Sequence, residues 1–408
     1  MVQRLARQEV EEALADTPVV LIHGPRQCGK STLAKEFADP TSRRYITFDN
    51  PLMLEQASAN PLKFLRDFNG PLILDEVQRV PKLFLPLKML VDEERVPGRF
   101  LLTGSANVLS LPKVADSLAG RMAIVDLLPF SQSELEGSEV NFVEEVFAGR
   151  LPETCATISN EDLCRRVTIG GFPESNIRKS ASSRDRWFED YLRSIVERDV
   201  RDLANIDALS QIPRMLRLLA ARSGSTLNVS SLSRDTGIPN TSLHRYLELL
   251  EAIFLIQQFP TWSNNRGTRV TKTPKSFMVD SGLLCQLASV TSSQLERDRE
   301  RFQIVLESFV AMELKKLARF ADGRPIVHYL RTVTQYEVDF VLEAKGGDVV
   351  GIETNISKAI GPEDIKGLNY LSELAEEKFK FGLVLYCGNS LEQVAGKIWA
   401  VPMSALWS

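Results

Sequence analysis

The sequence predicts an α/β protein whose first domain is a doubly wound parallel sheet with a phosphate-binding loop. Residues 24–32 contain the eight-residue phosphate-binding pattern G-x-x-x-x-G-K-[ST]. The apolar run 19–22 before this loop is typical of a buried strand, and residues 31–37 after it are typical of a helix. Further apolar strands alternate with helical segments and end in polar residues, as in sheets that bind ligands at the carboxyl ends of their strands.

The loop has the residue types that a nucleoside triphosphate requires. Gly24 and Gly29 allow a tight turn in which backbone N–H groups approach the phosphates, beside the positive end of the next helix. Lys30 is expected to bind the β- and γ-phosphates, and the Ser31 hydroxyl to ligate Mg²⁺. The predicted nucleotide-binding residues are Gly24, Pro25, Arg26, Gln27, Cys28, Gly29, Lys30, Ser31 and Thr32. A chance match in an ordinary loop is the weaker alternative.

A second motif follows at residues 70–77, where an apolar strand ends in Asp75 and Glu76. Asp75 is expected to hold Mg²⁺ through water, and Glu76 to orient and deprotonate the attacking water. The alternative is a strand that simply leaves into a polar turn. Downstream of a P-loop, the sequence favours the catalytic interpretation.

Two further residues are candidate catalytic groups. Thr103 ends the next strand, where a hydroxyl can sense the γ-phosphate or position water, although a helix cap would use the same residue type. Arg121 precedes the strand 122–127 and is predicted either to face a phosphate or to be a surface charge. A phosphate contact across subunits would require a homo-oligomer.

The segments HGPRQCGKSTL, LILDEVQRVP, FLLTGSAN and LAGRMAIVDLLPFS together resemble a prokaryotic family of AAA-type ATPases with a C-terminal domain of unknown function. The resemblance covers nearly the whole chain. It implies an AAA-like sheet and ATP as the nucleotide. It also implies Lys30 and Ser31 as phosphate and metal contacts, and Asp75 with Glu76 as the hydrolytic pair.

Composition sets wider limits on the protein. Its 408 residues allow two to four domains, and 44% hydrophobic with 25% charged residues is typical of a soluble globular protein. A net charge of −4 argues against a generally basic nucleic-acid coat. No membrane span or secretory signal is expected. The 5 cysteines include no C-x-x-C pair, so neither a zinc site nor a disulfide framework is indicated, and a cytoplasmic location is expected.

The predicted domains are an ATPase core at 1–130, a helical lid or linker at 131–204, a winged-helix module at 205–285 and a restriction-endonuclease-like domain at 286–408. Mixed charges on the helix predicted at 184–203 favour a solvated or interdomain face, with a contact to the nucleotide side as the alternative.

The winged-helix prediction rests on two short helices followed by two strands. DNA contact through this module is a weaker hypothesis, because Glu248 and Glu251 would repel phosphate and winged helices also serve as packing modules. The side chains that would contact bases or phosphates are Ser242, His244, Arg245, Arg266, Arg269 and Lys272.

In the last domain the sequence predicts a long helix, three strands, a helix and a strand in succession, with Asp339 on the second strand and Glu353 on the third. This order resembles a restriction-endonuclease-like core. Such a site uses two carboxylates for Mg²⁺ and a lysine in the pattern E-x-K. Asn355 stands at the lysine position and cannot carry a positive charge, although Lys358 is near in sequence. A structural remnant is favoured over a metal site that does not cut, and an active nuclease is the weakest alternative.

The sequence therefore predicts a Mg²⁺-dependent ATPase that acts as a nucleotide-driven switch on its C-terminal domains. A nucleotide-gated DNA- or protein-binding scaffold with little turnover is the main alternative, ahead of a nuclease or a small-molecule kinase. Cys28 adds a side hypothesis. Loop amides and Lys30 would lower its thiol pKa and make it reactive towards maleimide, unless it is simply a small residue that fits.

Overall fold

The computed structural model describes residues 2–104, 118–152, 155–200, 209–265, 269, 273–332 and 336–408. The strands of these regions are β1 (Val19–His23), β2 (Arg44–Thr47), β3 (Leu72–Asp75), β4 (Phe100–Gly104), β5 (Met122–Asp126), β6 (Ile256–Phe259), β7 (Lys275–Met278), β8 (Ile326–Arg331), β9 (Glu337–Glu343), β10 (Val349–Asn355), β11 (Phe379–Tyr386), β12 (Glu392–Ala395) and β13 (Ile398–Pro402).

The helices before residue 200 are α1 (Ala6–Asp16), α2 (Lys30–Glu36), α3 (Pro51–Ala59), α4 (Pro61–Arg66), α5 (Phe84–Glu93), α6 (Gln132–Glu136), α7 (Phe142–Phe147), α8 (Asn160–Ile169), α9 (Pro173–Ile177) and α10 (Ala181–Ile195). The later helices are α11 (Ile212–Ala221), α12 (Val229–Thr236), α13 (Asn240–Ala252), α14 (Ser281–Ala288), α15 (Ser292–Arg297), α16 (Arg299–Phe320) and α17 (Lys366–Ala375).

The first sheet has the strand order β2-β3-β4-β1-β5, and every pair in it is parallel. Side chains alternate along each strand, so Leu21 and Leu102 pack on one face while Ile22 and Leu101 pack on the other. Both faces are therefore covered, and all five carboxyl ends meet at one edge. The predicted parallel-sheet α/β fold of the first domain is confirmed.

The middle and C-terminal parts share one continuous core that extends from Phe142 to Trp407. Its central element is α16, whose 22 residues include charged as well as apolar buried side chains. Helices α7, α8, α14 and α15 and strands β7, β8 and β10 contact it. These two regions are therefore packed as one body.

The second sheet has the order β12-β13-β11-β10-β9-β8. Strand β10 is antiparallel to β9 and parallel to β11, and α17 packs against both β10 and β11. The predicted succession of a long helix, three strands, a helix and a strand is present, followed by β12 and β13.

One predicted helix differs in its course. The helix predicted at 184–203 begins earlier, at Ala181, and continues from Ile195 into a π-helical turn at Val196–Val200. Residues 201–203 lie outside the described part of the chain. In the described residues we find no helix that combines the length and the apolar character needed to cross a bilayer.

Candidate functional site

The predicted phosphate-binding loop joins the carboxyl end of β1 to the start of α2. A Cβ atom at Gly24 would lie 2.0 Å from the Leu127 carbonyl oxygen, so only glycine fits there. Gly29 has a φ of 102°, in the left-handed region that favours glycine, and it directly precedes α2. The local sequence thus builds a bare-backbone loop that leads into a helix N-terminus, which is an arrangement suited to anions.

Lys30 and Ser31 open the helix and face the loop. The Lys30 ammonium donates hydrogen bonds to the carbonyl oxygens of Gly24 at 3.1 Å and Pro25 at 2.7 Å. The Lys30 side chain is buried, so its charge is held within the loop rather than in bulk solvent. Gln27 in the loop and Thr32 in the first turn of α2 are both exposed.

Asp75 lies at the tip of β3 and collects three hydroxyl groups. Its Oδ1 atom accepts hydrogen bonds from Ser31 Oγ at 2.7 Å and from Thr103 Oγ1 at 2.6 Å, and its Oδ2 atom accepts one from Tyr45 at 2.7 Å. The structure therefore brings together Ser31 and Asp75, the two residues predicted to hold Mg²⁺. A carboxylate and a hydroxyl are oxygen ligands of the kind this cation prefers, so the donor set fits it.

Glu76 follows Asp75 with a φ of 62°, an uncommon value for a residue other than glycine. Its carboxylate accepts a hydrogen bond from the Gln78 side chain, and its backbone N–H donates to Thr103 Oγ1 at 3.0 Å. At this backbone turn the chain leaves β3 at the carboxyl ends of the strands, where the loop also lies.

Thr103 lies at the end of β4, between the two acidic residues. Its hydroxyl donates to Asp75 and accepts from the Glu76 N–H, and its side chain is fully buried. The hydroxyl thus links the Asp75 carboxylate to the backbone of Glu76. Its contact with a γ-phosphate or with water stays a prediction, and the segment that follows Gly104 lies outside the described residues.

Tyr45 was missed by sequence reasoning. It lies on β2, next to β3, and its hydroxyl holds the second oxygen of Asp75. Burial, followed by the hydrogen bond and the charge of Asp75, raises its pKa, so the phenol remains a donor at neutral pH. Only the strand order, which the sequence did not specify, places Tyr45 beside Asp75.

Arg121 lies at the amino ends of the parallel strands, whereas the loop lies at their carboxyl ends. Its carbonyl oxygen pairs with the N–H of Val19, the first residue of β1, whereas the loop follows the last residue of that strand. Its guanidinium forms an ion pair with Asp92 at 2.5 Å. The prediction that Arg121 contacts a phosphate of its own chain is therefore wrong. A contact with a phosphate in a neighbouring subunit and a surface charge both stay predictions.

Two contacts tie the loop to other parts of the chain. Beneath the loop, buried Arg4 donates to the Cys28 carbonyl oxygen at 2.8 Å and pairs with Glu134 at 3.0 Å. On the outer side, Trp187 Nε1 of α10 donates to Gln27 Oε1 at 3.0 Å. The contact of this helix with the nucleotide side, given above as the alternative, is thus present.

The side hypothesis about Cys28 conflicts with the structure. Its side chain is 0% exposed, and its thiol donates to the Leu127 carbonyl oxygen at 3.2 Å. Since the thiol points into the protein beneath the loop, a maleimide has no path to it. Cys28 is a small residue that fits its site.

The predicted nuclease-like residues Asp339 and Glu353 lie on paired strands of the second sheet. The positive charge of Lys275 acts on both. Asp339 Oδ2 accepts hydrogen bonds from the backbone N–H of Thr354 at 2.9 Å and from its hydroxyl at 2.7 Å. The buried ammonium of Lys275 pairs with Glu307 at 3.0 Å and Glu337 at 2.9 Å. Burial raises the pKa of Glu307 to about 8, with a further contribution from the Asp339 charge.

Asn355 is also engaged locally. Its amide donates to Asp364 at 2.8 Å and accepts from the Ser357 N–H at 2.8 Å, while Lys358 is exposed. Burial, then the charge of Asp339, raises the pKa of Glu353 well above its usual range. In the regions that the structure describes, no three His, Cys, Asp or Glu side chains are grouped as a metal site would require.

The predicted DNA-contacting residues are only partly described. Arg266 and Lys272 lie outside the described residues, whereas Arg269 pairs with Glu343 and lies over the Trp262 ring. On α13, His244 and Arg245 are exposed and Ser242 is half-buried. Glu251, expected to repel phosphate, instead accepts two hydrogen bonds from Gln258.

Three family models match the chain in succession. A model described as AAA domain matches residues 16–136. Two domains of unknown function follow, DUF8612 at residues 160–294 and DUF4143 at residues 303–406. Together with the parallel sheet, the first match identifies an AAA-type P-loop domain.

Two relatives that match most of the chain extend this result. The uncharacterized protein Rv2008c of Mycobacterium tuberculosis is 30% identical over 344 residues, which cover 84% of this chain and 72% of that protein. The chain belongs to the family of this mycobacterial protein. An uncharacterized protein of Haemophilus influenzae is 25% identical over 290 residues, covering 65% of this chain and 68% of its own length.

Similar solved structures are more distant. The Walker-type ATPase PABY2304 of Pyrococcus abyssi is 18% identical and aligns over 70% of this chain and 96% of that chain, with a TM-score of 0.44. The RuvB Holliday junction branch migration motor of Thermotoga maritima is 17% identical over 62% of this chain and 89% of its own, with a TM-score of 0.30.

Proposed function

We propose that the protein is a Mg²⁺-dependent ATPase whose nucleotide state switches the arrangement of the parts packed around the loop. The observation that carries the proposal is the hydrogen bond of 2.7 Å between Ser31 and Asp75. It joins the start of the loop helix to the strand tip where the two acidic residues lie. P-loop enzymes hold their metal between these two residue types.

Each residue has a separate task in this reaction. The loop amides and the Lys30 ammonium bind the phosphates, and Ser31 and Asp75 would hold Mg²⁺. The ion supplies positive charge against the phosphate oxygens. Glu76 orients a water molecule and takes its proton, while Thr103 holds Glu76 in place. Positioning and charge stabilisation account for most of the rate in such transfers.

The test compares Glu76→Gln with wild type in a phosphate-release assay with MgATP. General-base catalysis contributes about 10²- to 10⁴-fold, so turnover should fall by that factor while ATP binding persists. Glu55→Gln, an exposed residue of the same domain, is the matched control and should keep wild-type turnover. Equal turnover in Glu76→Gln and wild type would contradict hydrolysis at this site.

The switch is supported by the contact between the loop and α10. Because Trp187 donates directly to Gln27, a change in loop conformation on ATP binding should change Trp187 emission. The same titration of Trp187→Phe should lack that change. If the variant retained the full fluorescence response, another tryptophan would be the reporter and this contact would not transmit the nucleotide state.

We further propose that residues 205–285 form a winged helix used for packing and that residues 286–408 form a nuclease-like core used as a scaffold. Arg269 is occupied by Glu343, and Lys275 supplies the positive charge among the carboxylates, which supports packing over DNA contact or cleavage. Plasmid nicking with Mg²⁺ or Mn²⁺ that disappears in Asp339→Ala would overturn this assignment.

A further inference from the structure

A cavity of about 340 Å³ lies behind the P-loop, where three parts of the chain meet. One wall comes from the N-terminal segment and the end of β5, a second from β6 and the residues before it, and a third from α16 and the start of β8. Its volume is within the range of natural small-molecule sites, at about 300–1,000 Å³. None of residues 24–32 lines it, so it is separate from the proposed ATP site.

Lys315 of α16 contributes an ammonium group to this cavity. In the described part of the chain, no carboxylate oxygen lies within 4.0 Å of that group, and its ring contact is with Phe259 at 5.3 Å from the centroid. The other cations that line the cavity are paired: Arg4 with Glu134, Lys316 with Glu313, and Arg319 and Arg324 with Glu9. Lys315 therefore differs from its neighbours in having no counter-ion in contact.

The two acids whose charges act on Lys315 have hydrogen-bond partners of their own. Glu251 accepts hydrogen bonds from Gln258, and Asp126 accepts one from His23 at 3.2 Å. Burial lowers the pKa of Lys315, and the charges of Glu251 and Asp126 offset that effect only in part. A bound anion would supply the charge that the protein itself does not bring into contact.

The remaining walls are largely apolar. Phe254, Phe259, Pro260, Phe320 and Val327 all line the cavity. A bare inorganic ion would leave these surfaces without contacts, whereas an organic body would cover them. We propose that the cavity binds a small organic monoanion, a carboxylate on a short aliphatic or aromatic body, with Lys315 as its charge partner.

A ligand in this cavity would lie against residues that contact the nucleotide loop or the strand before it. Arg4 lines the cavity and also donates to the Cys28 carbonyl oxygen at 2.8 Å. Asp126 lines it as well and pairs with His23, the last residue of β1 before Gly24. The site is therefore placed to sense a metabolite at the junction of the ATPase domain and the C-terminal parts.

The test uses four fluorinated probes and ¹⁹F NMR on the full chain. The acids are 4-fluorobenzoate and 4,4,4-trifluorobutyrate, and the neutral controls are their amides. Both acids should show saturable line broadening, and each amide should bind at least about tenfold more weakly because it lacks the charge. Lys315→Met should lose the preference for acids, while Lys345→Met, which removes an exposed lysine, should keep it.

Circular dichroism of each variant establishes that it is folded before the comparison. Three results would overturn the proposal: acids and amides binding equally to wild type, Lys315→Met retaining wild-type affinity for the acids, or neither acid showing saturable binding at millimolar concentrations.

Discussion

Replacing Thr103 with valine tests how the acidic pair is held. Valine preserves the shape of the buried side chain but removes the hydroxyl that donates to Asp75 at 2.6 Å and accepts from the Glu76 N–H at 3.0 Å. A hydrogen bond to a charged group contributes about 1.5–3 kcal/mol, and an orphaned buried N–H costs about 1–3 kcal/mol. Since neighbouring effects are not additive, we expect a loss of about 2–4 kcal/mol in the free energy of unfolding.

The same substitution should act on turnover more than on ATP binding. Thr103 does not line the phosphate loop, so the KM for MgATP should change little, while kcat should fall about 10- to 100-fold as Glu76 loses its fixed position. Urea denaturation and phosphate release measure the two effects. Thr103→Ser keeps the hydroxyl and should restore most of both. The positioning role would be refuted if the valine variant had a free energy of unfolding within about 0.5 kcal/mol of wild type and a kcat within about twofold of wild type.

Two other substitutions test buried charges outside the acidic pair. Arg4→Met should lower the free energy of unfolding by about 3–5 kcal/mol because it leaves the buried Glu134 carboxylate without its cation. Arg7→Met breaks exposed ion pairs and should lower it by less than about 1 kcal/mol. Equal losses in urea denaturation would contradict this account. Burial raises the pKa of Glu307 to about 8, so the folded protein favours the protonated carboxyl. The contribution of this group to the free energy of unfolding is therefore present at low pH and is lost as the pH rises towards 8. From pH 5 to 8, wild type should lose roughly 3–4 kcal/mol more than Glu307→Gln, and parallel pH profiles for the two proteins would contradict the assignment.

The loop and the acidic pair were predictable because their chemistry depends on contiguous residues. Gly24, Lys30 and Ser31 lie within one turn and one helix start, and Asp75 and Glu76 are adjacent in sequence. A pattern of eight residues and a pattern of two residues are sufficient to predict such groups.

Residues that depend on strand order were not predictable in this way. Tyr45 reaches Asp75 only because β2 is the neighbour of β3. Arg121 is remote from the loop of its own chain because β5 is parallel to β1, which places the residue before β5 at the amino ends of the strands. Likewise, Lys275 enters the carboxylate cluster from β7, far from the position at which E-x-K would place a lysine. One sequence without its topology does not specify contacts across strands.

The central claim is that the P-loop grips Mg²⁺-bound ATP, and isothermal titration calorimetry of the folded protein tests it most directly. Wild type should give a saturable heat with MgATP, and Lys30→Met, with circular dichroism unchanged, should reduce the affinity by at least about tenfold because a buried charge contact is lost. Absence of binding in folded wild type, or equal affinity in the two proteins, would contradict the account.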